Sequence, residues 1–179
     1  MEKILLMGNP NTGKSVVFNR LTGARVTVSN YPGTTVDFTK GWMKLKGKTV
    51  ELIDVPGAFS LEPKDKAEEV AVKMLEEEKD AVVICLIDSS KVERGLYLTL
   101  EIIERGYPVV VALNMADVAD SKNIMIDAEK LEEILGVPVV CTVAVSGEGI
   151  KELASRIKEA TPVEIEKISE NASGSGEGK

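Results

Sequence analysis

The stretch Gly8-Asn9-Pro10-Asn11-Thr12-Gly13-Lys14-Ser15 fits the pattern G-x-x-x-x-G-K-[ST]. It follows an apolar run at 4–7 and precedes a helical pattern at 16–21, which is the strand, loop and helix context that this pattern requires. Backbone N–H groups of such a loop form an anion-binding nest, and the helix adds the positive end of its dipole. Lys14 can then reach the β- and γ-phosphates, and the Ser15 hydroxyl can ligate Mg²⁺. We expect the following residues to contact a nucleotide: Asn9, Pro10, Asn11, Thr12, Gly13, Lys14, Ser15 and Val16.

Composition narrows the class of protein. The 179 residues suit one domain, 44% of them are apolar, and no apolar run approaches the roughly 20 residues that span a bilayer. The N-terminus does not resemble a signal peptide, so we expect a cytoplasmic chain or the cytoplasmic part of a larger protein. A net charge of −7 provides no basic field for a nucleic acid partner. The chain has no histidine, which excludes imidazole chemistry, and Cys85 and Cys141 are predicted to be buried, reduced thiols.

Apolar runs alternate with helical patterns along the chain. Nearly continuous apolar runs are typical of strands that are covered on both faces, as in a parallel sheet. They occur at 3–7, 50–53, 81–87, 109–113 and 137–141, and helical patterns occur at 65–78, 92–105, 127–135 and 149–160. The segments 37–46 and 48–53 are separated only by Gly47 and predict an antiparallel hairpin. We therefore predict an α/β fold with a mostly parallel six-stranded sheet, one antiparallel edge hairpin and helices on both faces.

Two further local signals concern helix ends and the C-terminal part of the chain. Asp127 is a plausible N-cap, and Gly136 a C-cap, of the helix at 127–135. Residues 1–162 are assigned to one α/β domain and residues 163–179 to a short charged segment followed by a Gly/Ser-rich stretch from Asn171. That composition predicts a flexible tail, either a linker or a cloning remnant.

A second cluster, Asp54-Val55-Pro56-Gly57, follows the second strand of the hairpin. An aspartate at the carboxyl end of a strand lies beside the phosphate loop, where Asp54 can hold Mg²⁺, usually through water. Gly57 has no side chain, so its N–H can approach a γ-phosphate closely. Aspartate, proline and glycine are also turn residues, and an ordinary turn is the alternative.

A third cluster, Asn114-Met115-Ala116-Asp117, follows the apolar run 109–113. The Asp117 carboxylate has two acceptor oxygens, which can accept together from guanine N1–H and the guanine 2-amino group. Adenine offers no such pair of donors, so the site should discriminate between the two bases. Asn114 would brace the loop and touch the base. The alternative is that Asp117 serves only as a helix N-cap.

Two weaker clusters complete the series. Thr34 and Thr35 lie between the first helix and the hairpin, where a threonine can complete the Mg²⁺ shell and donate its N–H to the γ-phosphate. Ala144 and Val145 belong to the loop 143–149 after the last strand, which can cover the base edge with backbone N–H groups. Either segment on its own is typical of an ordinary loop.

These five elements, in this order and spacing, resemble the G1 to G5 motifs of small GTPases. The residues of segments 8–15, 30–37, 54–61 and 95–100 resemble more specifically those of the N-terminal G domain of the ferrous iron transport protein B family. The resemblance covers about residues 1–160. The resemblance implies the P-loop GTPase fold and Mg²⁺-dependent hydrolysis of GTP to GDP. It also implies a switch that is coupled to a membrane-embedded Fe²⁺ channel.

The resemblance also implies roles for single residues. Asn11 falls on the G1 asparagine that helps bind an activating K⁺ in that family, and Thr35, rather than Thr34, falls on the G2 threonine. The implied catalytic set is therefore Lys14, Asn11, Thr35 and Gly57, and the implied Mg²⁺ set is Ser15, Thr35 and Asp54.

The partners follow from the same resemblance. Family members continue into a helical spacer domain and transmembrane helices, which are absent from this chain. We expect either an excised domain or a stand-alone relative, and the composition of the tail favours excision. The implied location is the cytoplasmic face of the membrane, the implied ligand is a guanine nucleotide, and a homo-oligomer is compatible with this interpretation.

Three of the motifs depart from common GTPase patterns. Met115 occupies a position where many GTPases carry lysine, although the family that the chain resembles often carries methionine there. Ala144-Val145 stands where Ser-Ala is usual, so one hydroxyl group that braces the loop is lost and guanine affinity is expected to be weak. Ala58 follows Gly57 where many GTPases carry a glutamine that positions water, so turnover is expected to be slow. Two other functions are left open. One is a stand-alone or ribosome- or tRNA-associated GTPase, which the acidic charge opposes, and the other is a nucleotide-dependent docking module with incidental hydrolysis.

Overall fold

The computed structural model describes residues 3–23 and 26–174, which contain seven strands and seven α-helices. The strands are β1 (Lys3–Gly8), β2 (Val26–Asn30), β3 (Asp37–Leu45), β4 (Lys48–Asp54), β5 (Val82–Asp88), β6 (Val109–Asn114) and β7 (Val139–Cys141). The helices are α1 (Lys14–Thr22), α2 (Lys66–Glu77), α3 (Val92–Glu104), α4 (Ala116–Ser121), α5 (Ala128–Leu135), α6 (Ile150–Arg156) and α7 (Ile165–Gly174). Two short 3₁₀ turns precede α3 and follow α6, at Ser89–Lys91 and Ile157–Glu159.

The strands form one sheet in the order β2-β3-β4-β1-β5-β6-β7. β1 is parallel to β4 and β5, and the parallel arrangement continues through β6 to β7. The expected hairpin is confirmed as β3 and β4, and its turn places Lys46 and Gly47 at φ 48° and 78°. Two consecutive positive φ values match the twist of an antiparallel pair, which explains the glycine at this position.

The predicted number of six strands is wrong, because β2 adds a seventh strand outside the hairpin. β2 pairs antiparallel with β3 and forms the edge of the sheet, so the hairpin is not the edge. Val26 and Val28 are both exposed, Val28 by 64%, so this strand buries no apolar face. Hydrophobic periodicity detects strands through a buried face, and β2 therefore gave no clear signal.

Helices cover both faces of the sheet, as predicted. Leu5 and Met7 of β1 pack on the side that holds α2, α3, α5 and α7, and Ile4 and Leu6 pack on the side that holds α1 and α6. Successive strand residues point to opposite faces, so a continuous apolar run supplies two cores.

The predicted caps of α5 are confirmed. The Asp127 side chain accepts a hydrogen bond from the Lys130 N–H at 2.9 Å, and Gly136 follows the helix at φ 67°. Asp65 caps α2 in the same way by accepting from the Glu68 N–H at 2.8 Å. These side chains satisfy N–H groups that have no partner inside their helices.

The C-terminal segment is more ordered than its composition indicates. α7 spans Ile165–Gly174, buries Ile168, and is tied to α5 through the Asn171 amide, which donates to the carbonyl oxygens of Glu133 and Ile134. The prediction of a flexible tail from Asn171 is therefore wrong for the residues up to Gly174. The rest of that predicted tail, 175–179, lies outside the described residues.

The two cysteines differ in their surroundings. Cys85 is buried in β5, and burial raises the pKa of its thiol to about 12. Cys141 is exposed, so the prediction of a buried thiol is wrong at this position. It ends β7, a three-residue strand at the edge of the sheet, where no further strand covers it. None of the helices in the described ranges is both long enough and apolar enough to cross a bilayer.

Candidate functional site

The loops that carry the sequence motifs meet at one end of the sheet, where its parallel strands terminate. β1, β4, β5 and β6 are parallel to one another, so their carboxyl ends lie together. The phosphate loop follows β1, the Asp54 cluster follows β4, and the Asn114 cluster follows β6. This arrangement is the common location of ligand sites in open α/β sheets.

The phosphate loop has a fixed backbone. Asn11 and Gly13 adopt left-handed conformations at φ 64° and 87°, and α1 begins directly after Gly13. The Thr12 hydroxyl donates to the carbonyl oxygen of Asn9 at 2.8 Å, and both residues are buried. A Cβ at Gly13 would lie 2.5 Å from the Asn114 amide nitrogen, so only glycine fits here. The loop therefore has the strand-to-helix geometry that an anion-binding nest needs.

Asp54, Ser15 and Lys14 form a polar cluster beside the loop. The Ser15 hydroxyl donates to Asp54 Oδ2 at 3.3 Å, and the Lys14 ammonium lies 4.0 Å from Asp54 Oδ1. Burial raises the pKa of Asp54, and the positive charge of Lys14 and the Ser15 hydrogen bond act against that rise. Asp54 Oδ1 is buried without a hydrogen-bond partner among the described residues. Carboxylate and hydroxyl oxygens are the donors that Mg²⁺ prefers, so these residues fit that ion.

Gly57 packs directly against the phosphate loop. A Cβ at this position would lie 3.0 Å from Pro10 Cγ, and the next residue, Ala58, donates its N–H to the carbonyl oxygen of Gly8 at 3.2 Å. Ala58 is only 1% exposed. The backbone of 57–58 is thus held beside the loop, and the methyl group of Ala58 points into the protein.

Glu68 anchors the segment after Gly57 and is not among the site residues predicted from the sequence. One carboxylate oxygen accepts from the Phe59 N–H at 3.0 Å and the other from the Lys64 N–H at 2.8 Å. Glu68 is 4% exposed although it is a charged residue in the first turn of α2. Its position within a run of charged residues favours a solvated helix face, which is why no sequence signal indicated this role.

Asn114 connects three loops of the site. Its amide nitrogen donates to the carbonyl oxygen of Thr12 at 2.9 Å. Its amide oxygen accepts from the Thr142 hydroxyl at 3.0 Å and from the Ala144 N–H at 3.1 Å. The predicted bracing role is confirmed, and Thr142 is a partner that was not predicted from the sequence.

The Asp117 side chain takes no part in the hydrogen bonds that hold its loop in the described part of the chain. Met115 occupies the N-cap position of α4 at φ 60°, so the alternative role of Asp117 as the N-cap is wrong. Asp117 is exposed in the first turn of α4, and no hydrogen bond to it is found among the described residues. Its carboxylate is available to accept from a ligand beside Asn114.

The loop 143–149 is folded on itself and held by an arginine of α1. The Val143 N–H donates to the Glu148 carbonyl oxygen at 3.1 Å. The Arg20 guanidinium donates to the carbonyl oxygens of Ala144 and Val145, the first at 3.0 Å. Ala144 is buried, whereas Val145 is 70% exposed. The structure thus places Ala144 beside Asn114 and leaves the Val145 side chain in solvent.

No hydrogen bond joins Thr34 or Thr35 to the Asp54 cluster in the described part of the chain. The Thr34 hydroxyl donates to the Tyr31 carbonyl oxygen at 2.9 Å, and the Thr35 side chain is exposed and makes no hydrogen bond in the part of the chain that the structure describes. The Tyr31 hydroxyl donates to Glu77 of α2, and this bond raises the pKa of Tyr31. The loop is therefore fastened at Tyr31 and Thr34 rather than at Thr35.

A small cavity of about 160 Å³ lies between the phosphate loop and α3. Asn9 and Asn11 line one side, and Lys91 and Arg94 line the other. Neither basic residue was identified from the sequence, because Arg94 belongs to an amphipathic helix pattern, Lys91 directly precedes that pattern, and no motif includes either residue.

Comparison with known proteins agrees with this geometry. The family model described as ferrous iron transport protein B matches residues 2–157. The Fe(2+) transporter FeoB of Escherichia coli O157:H7 is 41% identical over 152 residues, which are 83% of this chain and 20% of that protein. The chain spans about a fifth of the length of the curated relatives that it matches.

Solved structures of similar proteins share the fold. The cytosolic domain of the T. maritima FeoB iron transporter in its GMPPNP form superimposes with a TM-score of 0.81 at 41% identity, covering 89% of this chain and 63% of that one. A mutant of the S. thermophilus protein NFeoB bound to GDP gives a TM-score of 0.83 at 38% identity, covering 90% and 63%. The chain has the fold of these G domains.

Proposed function

Because this chain belongs to the ferrous iron transport protein B family, FeoB, we propose that it binds GTP and GDP and hydrolyses GTP slowly with Mg²⁺. We propose further that it acts as the cytoplasmic regulatory switch of a ferrous iron transporter. The helical spacer domain and the transmembrane iron channel of that transporter would be its partners. GDP and GMPPNP in the solved FeoB relatives support the choice of ligand.

The observation that carries the nucleotide proposal is the position of Asn114. Its amide joins the phosphate loop at Thr12 to the loop of Ala144, so a phosphate site and a base site share one rigid side chain. Asp117 follows on the first turn of α4 with an exposed carboxylate that can accept from guanine N1–H and the 2-amino group. A nucleotide with its phosphates at Lys14 and its base at Asp117 would occupy both the phosphate site and the base site.

The Mg²⁺ site would be formed by Ser15 and Asp54, with Thr35 added once its loop moves toward the nucleotide. When bound there, Mg²⁺ neutralises charge on the phosphate oxygens. Support comes from the buried, unpartnered Oδ1 of Asp54 and from the Ser15 hydroxyl beside Oδ2.

Slow hydrolysis follows from what surrounds the γ-phosphate. Lys14 and the backbone N–H groups of the loop and of Gly57 can hold phosphate oxygens, but Ala58 has only a buried methyl group and cannot orient water. Turnover should therefore lie near the unassisted range, roughly 10⁻⁴ to 10⁻² s⁻¹. Asn11 would help hold a K⁺ ion that supplies additional positive charge.

Calorimetry with GTP, GDP and ATP tests the choice of base. We expect guanine nucleotides to bind in the presence of Mg²⁺ and ATP to bind much more weakly. Asp117→Ala should weaken GDP binding by roughly 2–4 kcal/mol, because it removes the charged partner of two donors. Equal binding of GTP and ATP by the parent chain would refute the guanine site.

A single-turnover assay with GTP separates a hydrolysing switch from a docking module. Conversion of bound GTP to GDP within minutes to hours supports the switch, and GTP that remains intact supports the docking module. The role in transport is tested in the full-length transporter, where Asp117→Ala should reduce Fe²⁺ uptake by cells without reducing the amount of transporter in the membrane.

A further inference from the structure

We propose that Arg20 is a positioning residue that holds the base-covering loop, residues 143–149, and thereby slows the release of a guanine nucleotide. The proposal rests on the proposed nucleotide site. Arg20 lies in the last turn of α1, and its guanidinium reaches across to a loop that is 124 residues later in the chain. Its Nε donates to the Ala144 carbonyl oxygen at 3.0 Å, and its Nη2 donates to the Val145 carbonyl oxygen.

The base-covering loop has few other polar attachments, although the Ala144 side chain is buried. Ala144 carries no hydroxyl group, and the Val145 side chain is 70% exposed and contributes little packing. In the described part of the chain, the hydrogen bonds that leave this loop, other than those to α6, are one from the Ala144 N–H to Asn114 and the two from Arg20. Arg20 therefore supplies two of the three hydrogen bonds that fix the loop to described parts of the domain other than α6.

The backbone of the loop is shaped to receive the guanidinium. Gly147 has φ 89°, and a Cβ at this position would lie 3.3 Å from Arg20 Nη1. Glycine thus satisfies both the left-handed backbone and the close approach of the arginine. The planar guanidinium presents several donors in a fixed fork, so it can hold two neighbouring carbonyl oxygens at once with little loss of side-chain freedom.

The same contact joins the two ends of the nucleotide site. α1 begins at Lys14 beside the phosphate loop and carries Arg20 in its last turn, where it meets the loop that would cover the base. For the base to leave, the loop must move away, and in this protein that movement breaks two hydrogen bonds from a charged donor. Such bonds are stronger than bonds between neutral groups.

Stopped-flow release of a fluorescent GDP tests the proposal. Arg20→Ala should release GDP about ten times faster than the parent chain, equivalent to about 1.4 kcal/mol, with an unchanged association rate constant. Arg20→Lys should fall between the two, because an ammonium group can still donate to one of the carbonyl oxygens. Arg105→Ala is the matched control, since Arg105 pairs with exposed Glu76 away from the site, and its release rate should equal that of the parent chain.

Pyrophosphate binding distinguishes positioning of the base loop from support of the fold. Pyrophosphate would contact the phosphate loop alone, so Arg20→Ala should leave its affinity unchanged. A parallel loss of pyrophosphate affinity would show that Arg20 supports α1 and would overturn the proposal, as would unchanged GDP release in Arg20→Ala. If Arg20→Ala does not fold, Arg20→Lys decides by the same two measurements. A parent chain that binds no GDP refutes the proposed function, and this proposal with it.

Discussion

The amide nitrogen of Asn114 lies 2.9 Å from the carbonyl oxygen of Thr12, a residue 102 positions earlier in the chain. The bond is buried, and it joins the loop after β6 to the phosphate loop after β1. Because the same side chain also accepts from Thr142 and Ala144, one residue sets the relative position of three loops.

Loss of this amide should destabilise the whole domain. Asn114→Ala leaves the Thr12 carbonyl oxygen, the Thr142 hydroxyl and the Ala144 N–H without their partner, so we expect the free energy of unfolding to fall by about 2–4 kcal/mol. Asn114→Asp keeps an acceptor but places a carboxylate oxygen against the Thr12 carbonyl oxygen, and should be at least as damaging. Urea unfolding checks both, with exposed Asn19→Ala as a control expected to change by less than about 0.5 kcal/mol. Equal stability of Asn114→Ala and the parent chain would contradict the bracing role.

Thr35 should matter for hydrolysis and not for GDP binding. Its exposed side chain makes no hydrogen bond to the described residues, so Thr35→Ala removes a Mg²⁺ ligand from the triphosphate complex without disturbing the fold. Single-turnover rates with GTP should fall, while the GDP affinity measured by calorimetry stays the same. Thr34→Ala is the paired control, because the Thr34 hydroxyl is already bonded to the Tyr31 carbonyl oxygen. If Thr34→Ala abolishes hydrolysis and Thr35→Ala does not, then the threonine that ligates Mg²⁺ is Thr34 and not Thr35.

The monovalent cation should change the rate of hydrolysis through Asn11. Replacement of Na⁺ by K⁺ should raise single-turnover hydrolysis several-fold, because Ala58 offers no group that positions water and additional positive charge is needed. Asn11→Ala should remove the difference between the two salts and leave the rate in Na⁺ nearly unchanged. Identical rates in both salts for the parent chain would point to a catalytic group other than a cation held by Asn11.

The ion pair of Glu132 and Arg156 should make stability depend on pH. Both carboxylate oxygens accept from the guanidinium at 2.7 Å, and one also accepts from the Val139 N–H at 2.9 Å. These bonds, above all those from Arg156, lower the pKa of Glu132 from its ordinary value of 4.5. A folded-state pKa below the unfolded value means that the pair stabilises the protein above pH 4.5 and that the contribution disappears as the pH falls through the lowered pKa.

Glu132→Gln measures this contribution. The pair is partly exposed, so we expect a loss of about 1 kcal/mol at pH 7 by urea unfolding, shrinking toward zero below the folded-state pKa. Glu164→Gln is the control, because Glu164 belongs to an exposed pair with Lys167 and should have almost no effect at any pH. A difference between parent and Glu132→Gln that stays constant down to acidic pH would exclude the ion pair as its origin.

The two cysteines should react very differently with an alkylating reagent. Cys141 is exposed, whereas burial raises the pKa of the Cys85 thiol to about 12. Mass spectrometry of the native protein should therefore show one modified cysteine, and unfolding in urea should expose the second. Partial burial and the charges of Glu152 and Asp120 raise the pKa of Cys141, so its reaction should accelerate as the pH rises. Equal labelling of Cys85 and Cys141 in the native state would contradict the burial of β5.

Contacts that depend only on where the strands end were predictable from the sequence. Lys14, Ser15 and Asp54 were expected to meet, and they do, because a phosphate loop and an aspartate at a strand end depend only on neighbouring strand ends in a parallel sheet. The bracing role of Asn114 was predictable because the parallel strands β1 and β6 have their carboxyl ends at the same end of the sheet.

The features that sequence reasoning missed depend on contacts without a periodic or local pattern. β2 lacks a buried face, and α7 is held by Ile168 and by a side chain that bonds to α5. Glu68 and Arg20 are charged residues on helices, where solvent exposure is the usual state. Glu68 binds backbone groups of the segment that precedes α2, and Arg20 binds backbone groups of a loop 124 residues later in the chain. Backbone carbonyl and N–H groups are the same at every position, so a sequence cannot indicate which of them a side chain will reach.

The hairpin turn at Lys46 and Gly47 offers a place to attach a reporter. β4 runs from this turn to Asp54, so the turn lies about 20 Å from the phosphate loop, at the opposite end of the strands. A side chain at Gly47 would meet no atom within 4 Å, although its φ of 78° disfavours a bulky residue, so exposed Lys46 or Lys48 is the better position. A dye or surface tether placed there would follow nucleotide exchange at a distance, leaving every loop of the site untouched.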